Sequence, residues 1–166
     1  MKNSKALYLT QAAIVAAMYF VLTWLSNFAG LASGAVQLRI SEALCVLPYL
    51  MPSAVPGLFV GCILANVSMP GIVPLDIFFG SLATLIGAYL ASKIKQKWLV
   101  PLPTVLANTV IVPFVVLFCY TEVRSVGVYF TITAGVFAGE VLSAYVLGMI
   151  LLLALSKRKN LFQKKR

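Results

Sequence analysis

The sequence predicts an all-α integral membrane protein, a bundle of six transmembrane helices, and three observations lead there. Of its 166 residues, 61% are hydrophobic and 10% charged, and the mean hydropathy is +1.00, far from the balance of a soluble domain. The apolar residues form long runs, and at about 20 residues per spanning helix the length permits roughly six spans with no soluble domain beside them. The Lys and Arg residues gather at the start (Lys2, Lys5), between two apolar runs (Lys93, Lys95, Lys97) and in a tail from Lys157 to Arg166. An even number of spans puts these clusters on one side, and cytoplasmic flanks collect Lys and Arg. The expectation is a multi-pass cell-membrane protein, one transmembrane domain over residues 1–166, with both termini cytoplasmic and a basic tail over 156–166. The net charge of +9 then reports topology and possible contact with anionic lipid heads, and no nucleic-acid partner is implied.

The first helix is expected over Leu7 to Phe28, longer than the roughly 7 to 15 apolar residues of a secretory signal core; small residues near Ala32 leave a cleaved signal as the lesser reading. Gly30 to Ile40 reads as a loop, and Ser41 can cap the next helix with Glu42 at the positive end of its dipole. From Ala43 to Met69 the chain is apolar but carries Pro48, Pro52 and Pro56, which oppose one straight helix. Two short helices are expected instead, about Ser41 to Met51 and Val55 to Ser68, with a turn at "PSAVPG". "MPGIVP" is a turn by its Gly and Pro content. The fourth helix follows from about Asp76 to Lys93, and the fifth from about Leu99 to Tyr120 with Asn108 and Pro113 inside it. The last run, Val126 to Leu155, exceeds a hydrocarbon core of about 30 Å and must tilt or project. The loops bearing Gln37, Arg39, Glu122 and Arg124 fall on the outer side in this topology.

Only four acidic residues exist, so each position is informative. Glu140 lies near the middle of the last run, where a charged acid costs roughly 2.5–3.5 kcal/mol and usually faces a cavity, a partner or a substrate; a structural pair with Arg39 or Arg124, or a protonated, hydrogen-bonded acid, is the plainer alternative. Asp76 is either a cap or a second acceptor for a ligand arriving from outside. Arg39 and Glu42 are either an exposed pair three residues apart or part of a lid over a ligand. Asn66 and Asn108 can bond a neighbouring helix or a ligand. Tyr120, Tyr129, Phe130 and Phe78 can stack on a planar ring, although aromatic belts at membrane interfaces are commoner. Small residues repeat at four-residue spacing, in Ala12 with Ala16, Ala13 with Ala17, Gly57 with Gly61, and Gly135 with Gly139. Such rows let helices approach closely, and the doubled alanines offer a face for a second membrane subunit.

Several chemistries have nothing to stand on. Histidine is absent, which removes Ser-His and Cys-His catalysis and histidine metal sites. Cys45, Cys62 and Cys119 are odd in number and scattered in apolar runs, so no disulfide or zinc framework is implied. "GAYLASKI" lacks the second Gly and the Ser or Thr of a phosphate loop. No cofactor and no metal site is expected, and the chain is not expected to be an enzyme.

The blocks "VQLRISEALCVLPYLMPSAVPGLFVGCILANV", "LDIFFGSLATLIGAYLASKIK" and "FAGEVLSAYVLGMILLLAL" resemble the QueT family of queuosine-precursor transporters, from about Leu7 to Leu155. These are substrate-binding (S) components of energy-coupling-factor (ECF) importers. The resemblance implies a six-helix S component that captures a 7-deazaguanine such as preQ1 or preQ0 outside the cell. It implies as partners a transmembrane T component and two cytoplasmic ATPase subunits, with the T component docking on Ala12, Ala13, Ala16 and Ala17. Among the candidate substrate-binding residues, Glu140 stands first and Asp76 second, with Arg39, Glu42, Asn66 and Asn108 around them. The competing reading is a self-sufficient proton-coupled carrier in which Glu140 takes and releases the proton.

Overall fold

The structure is a computed structural model that describes residues 2–31, 37–71 and 73–157; the tail from Arg158 to Arg166 and the small residues near Ala32 lie outside the described residues. Among the described residues every regular element is helical. The chain runs through α1 (Lys2–Phe28), a 3₁₀ helix (Ile40–Tyr49), α2 (Ala54–Ser68), α3 (Pro74–Ala91), a 3₁₀ turn (Lys97–Leu99) and α4 (Leu102–Cys119). A last continuous span, Val126–Ser156, starts as α5 (Val126–Glu140), widens to a π-helix (Val141–Leu147) and returns to α-helix as α6 (Gly148–Ser156). Four spans, Lys5–Phe28, Pro74–Ala91, Lys97–Cys119 and Val126–Ser156, are long and apolar enough to cross a membrane, with Ile40–Tyr49 and Ala54–Ser68 as short apolar helices between them. The expected six-segment bundle with a short second and third helix is the observed one.

The second segment departs from expectation in its winding. It is a ten-residue 3₁₀ helix containing Pro48, buried from Ser41 to Pro48, whereas 3₁₀ runs beyond three or four residues are uncommon. Its rise of about 2.0 Å per residue carries ten residues roughly 20 Å in a narrow rod, which suits a segment enclosed by helices on every side. The cap expected at Ser41 is corrected: Arg39 is the N-cap and makes no side-chain cap bond. The Ser41 hydroxyl instead shares a hydrogen bond with the Thr23 hydroxyl of α1 at 2.8 Å. Pro74 begins α3 and Asp76 lies in its first turn, a position that needs no proline N–H and favours an acid.

Small residues set the closest approaches. A Cβ on Gly57 would stand 2.5 Å from the Ala12 carbonyl oxygen, and one on Gly61 would stand 2.9 Å from Ala16 Cα, so α1 and α2 touch backbone to backbone. A Cβ on Gly87 of α3 would stand 2.8 Å from Thr104 Cα of α4. The main core joins α1, the 3₁₀ helix, α2 and α3 through Tyr19, Leu44, Leu58 and Ala88. A second cluster, Val46, Ala91, Val100, Met149 and Leu152, ties the 3₁₀ helix to α6. Large apolar side chains such as Leu9, Phe28, Val67, Phe78, Trp98 and Ile150 are exposed and form the surface that lipid covers in a bilayer.

Candidate functional site

Four of the six candidate binding residues converge on one cavity. Arg39, Glu42, Asn108 and Glu140 line it together with Gln37, Gly80 and Thr84. They come from three parts of the fold. Arg39 precedes the 3₁₀ helix and Glu42 lies in its first turn, Asn108 is in the middle of α4, and Glu140 ends α5. The cavity volume is about 20 Å³, room for about one water. A planar heterocycle therefore enters only if the walls move outward.

The two acids in the wall are held differently. Glu42 is buried and both its oxygens are engaged: the Tyr19 hydroxyl donates to Oε1 at 2.5 Å and the Cys45 thiol to Oε2 at 3.2 Å. Glu140 is 6% exposed, with Asn108 as its hydrogen-bonding neighbour, and its Oε2 has no hydrogen-bond partner. A buried acceptor left unmade costs roughly 1–3 kcal/mol, so this oxygen is available to an incoming donor. The helix changes pitch directly after it. The Ser143 hydroxyl donates to the Gly139 carbonyl at 2.7 Å, and such a back-bond to the preceding turn disturbs the regular α ladder where the π-helix begins. Single-turn π distortions in α-helices frequently lie at functional sites.

Asp76 and Asn66 stand behind the wall. A Cβ on Gly80, which lines the cavity, would be 3.3 Å from Asn66 Nδ2 and 3.5 Å from Asp76 Oδ1, so both side chains lie against the wall beside this glycine. Asn66 is fully buried; its Nδ2 meets the Cys62 thiol at 3.6 Å and its Oδ1 has no partner. The Tyr120 hydroxyl donates to Asp76 Oδ2 at 3.1 Å and accepts from the Val73 amide at 3.2 Å. Partial burial and the Asp76 carboxylate push the Tyr120 phenol above its ordinary value, against the opposing Val73 bond. Burial works against charge on the half-buried Arg39, but Asp76, Glu42 and other neighbours outweigh it and raise the guanidinium above its ordinary value. Arg39 therefore stays a cation facing the acids.

Backbone packs on backbone beside the cavity. A Cβ on Gly139 would collide with the carbonyl of Gln37, which puts the loop ahead of the 3₁₀ helix directly on α5, one residue before Glu140. Arg124 does not reach the site; it donates to the Phe118 carbonyl at 3.1 Å and lies over the Phe118 ring. Phe78, Tyr120, Tyr129 and Phe130 do not line the cavity either. Phe78 packs on Phe79, and Tyr129 packs between Phe114 and Phe130. Two larger grooves, about 400 and 470 Å³, follow the α3–α4 face and share Val110 and Ile111; they are apolar and lack the acids.

The four alanines expected to form one docking face on α1 divide. Ala16 is buried and, with the half-buried Ala12, packs on Gly61 and Gly57 of α2, whereas Ala13 and Ala17 are exposed. Sequence reasoning did not single out Tyr19, Gln37 or Thr84. Tyr19 carries no signal beyond a lone aromatic in an apolar helix, and Gln37 was visible only as a loop residue near Arg39. Among the described residues no group of three or more His, Cys, Asp or Glu residues is arranged to hold a metal ion.

The Queuosine precursor transporter QueT of Lactococcus lactis subsp. cremoris (strain MG1363) is 28% identical to this chain over 102 residues, 59% of this chain and 59% of the relative. The chain thus matches about three-fifths of that relative's length. No solved structure matches. The family described as QueT transporter matches residues 9–157, a range that holds every residue of the cavity wall, and the chain belongs to the QueT transporter family.

Proposed function

We propose that this protein is the membrane-embedded substrate-binding subunit of an ECF-type importer, capturing a 7-deazaguanine queuosine precursor such as preQ1 or preQ0 from outside the cell. One observation carries the reading: Arg39, Glu42, Asn108 and Glu140 line a single buried cavity in which Glu140 Oε2 has no partner. A guanine-like edge presents a ring N–H and an amino group side by side, and one carboxylate accepts both as parallel bonds. Glu140 serves that edge, and Arg39, which lines the cavity, serves the ring carbonyl. With Glu42, Glu140 and nearby Asp76 facing one guanidinium, the surroundings favour a ligand that brings a positive charge, such as an aminomethyl arm.

Capture requires opening. The small cavity expands when the Gln37–Arg39 segment lifts from Gly139, and the segment returns over the ligand with Arg39 turned inward. The relative's name, Queuosine precursor transporter, supports the ligand class. The topology expected from the Lys clusters supports an outward mouth, with both termini in the cytoplasm. Energy comes from a T component and two ATPase subunits, since the chain carries no phosphate loop, and the exposed Ala13 and Ala17 of α1 provide the surface for the T component. Residues 1–166 act as one transmembrane unit.

The test is calorimetric titration of the purified protein with preQ1, preQ0, queuine and guanine, paired with uptake by cells that have or lack the ATPase subunits. Saturable binding of a 7-deazaguanine and ATPase-dependent uptake are expected. Absence of binding removes the ligand assignment. Uptake that survives loss of the ATPases and collapses with the pH gradient favours a proton-coupled carrier acting through Glu140.

A further inference from the structure

We infer that Tyr19 is a positioning residue for the ligand cavity, acting through Glu42 and joining the cavity to α1. The inference rests on reading the Arg39–Glu42–Asn108–Glu140 cavity as the substrate site. Tyr19 does not line that cavity. Its side chain is 0% exposed in the core of the bundle, and its hydroxyl donates to Glu42 Oε1 at 2.5 Å.

Three features make this contact directional. First, the Cys45 thiol takes the other Glu42 oxygen at 3.2 Å. The carboxylate is thus held at both oxygens from behind, and a carboxylate has about four acceptor positions, so the remaining ones are free toward the cavity. Second, the base of the Tyr19 side chain lies close against α2, since a Cβ on Gly61 would stand 2.9 Å from Tyr19 Cβ, so the tyrosine sits where α1 and α2 pack most tightly. Third, the Thr23 and Ser41 hydroxyls bond at 2.8 Å one helical turn further along α1. Tyr19–Glu42 and Thr23–Ser41 therefore fix the first turn of the 3₁₀ helix to α1 at two points, of which only the first reaches the cavity.

The two cavity acids then have separate tasks. Glu140 offers an open oxygen, whereas Glu42 is oriented in advance by a residue on another helix. A ligand that pulls on Glu42 also pulls on α1, the helix whose outer side presents Ala13 and Ala17. Loss of the Tyr19 hydroxyl leaves a buried carboxylate short of a donor and free to turn away from the cavity.

The experiment is a double-mutant cycle read as the preQ1 dissociation constant of the full-length protein in detergent. Tyr19→Phe and Glu42→Gln are each expected to weaken binding roughly tenfold. The double variant is expected to bind no more weakly than Glu42→Gln alone, because Tyr19 acts through Glu42. Thr23→Val, which cuts the other tie between α1 and the 3₁₀ helix, is expected to lower the melting temperature and keep affinity within about twofold. Tyr19→Phe affinity within twofold of wild type, losses that multiply in the double variant, or an equal loss in Thr23→Val each overturn the inference. Should Tyr19→Phe fail to fold, fluorotyrosine at position 19 keeps the ring and changes the phenol's donor strength; an unchanged dissociation constant overturns it. Failure of the wild type itself to bind preQ1 removes the substrate-site reading, a result separate from all of these.

Discussion

The carbonyl of Gln37 rests on Gly139, leaving no space for a side chain between α5 and the loop ahead of the 3₁₀ helix. Glycine inside a helix is usually worth replacing, since alanine gains up to about 1 kcal/mol of helix propensity. Here the added methyl meets a backbone oxygen that cannot rotate away. Gly139→Ala is therefore expected to push the loop off the cavity and weaken ligand binding about tenfold or more, the cost of lost contacts from Arg39. A cysteine placed at Gln37 should react faster with maleimide in the Gly139→Ala background, and an unchanged labelling rate would refute the account of the mouth.

Glu140→Gln converts an acceptor into a group that presents N–H toward a ligand edge made of donors. An uncompensated polar group of this kind costs roughly 1–3 kcal/mol, so affinity should fall about ten- to hundredfold. The variant should still insert and stay monodisperse, because Glu140 Oε2 makes no bond in the protein that the amide could break. Calorimetry and size-exclusion chromatography measure the two halves of this expectation, and retained affinity would move the ligand's edge elsewhere.

The six-segment bundle was legible in the sequence because length, hydropathy and proline placement all act locally along the chain. Winding was less so. Pro48 and the all-round burial of Ser41 to Pro48 break no rule that separates a short α-helix from a 3₁₀ helix, and the π-helix after Glu140 depends on tertiary packing and the Ser143 back-bond. Among the residues of the candidate site, Glu140 and Glu42, which line the cavity, stood out because acids are scarce in an apolar chain. Tyr19 did not, because a tyrosine in a membrane helix is unremarkable until the partner of its hydroxyl is known. The alanine rows show the same limit: the four-residue spacing identified close packing correctly, but only the structure assigns Ala12 and Ala16 to α2 and leaves Ala13 and Ala17 exposed.

Asp76→Asn tests the ring of residues behind the wall. The amide oxygen can still accept from Tyr120, so the bond at the start of α3 persists, while the negative charge that supports Arg39 is lost. Asp76 does not line the cavity, so the expected effect is smaller than for Glu140→Gln, about three- to tenfold in affinity, in line with a typical net hydrogen bond or ion-pair change of about 0.5–1.5 kcal/mol. A loss as large as that of Glu140→Gln would mean that Asp76 touches the ligand directly.

Replacing Ala17 with Trp tests the proposed docking of a T component on α1. Ala17 is exposed on α1, whereas Ala16 beside it is buried against Gly61 of α2, so a bulky side chain at position 17 projects outward and leaves the α1–α2 contact intact. Ligand affinity of the isolated protein should remain within about twofold, as expected for sites without shared partners. Co-purification with the T component and its ATPases should be lost, because a large side chain on a close-packed helix face prevents backbone approach in lipid. Ala16→Trp is the opposite case: overpacking against Gly61 costs about 1–3 kcal/mol or more and should lower the melting temperature of the isolated protein. If Ala17→Trp still co-purifies with its partners, the exposed side of α1 is not the docking face, and the assembly surface must be sought on another helix of the bundle.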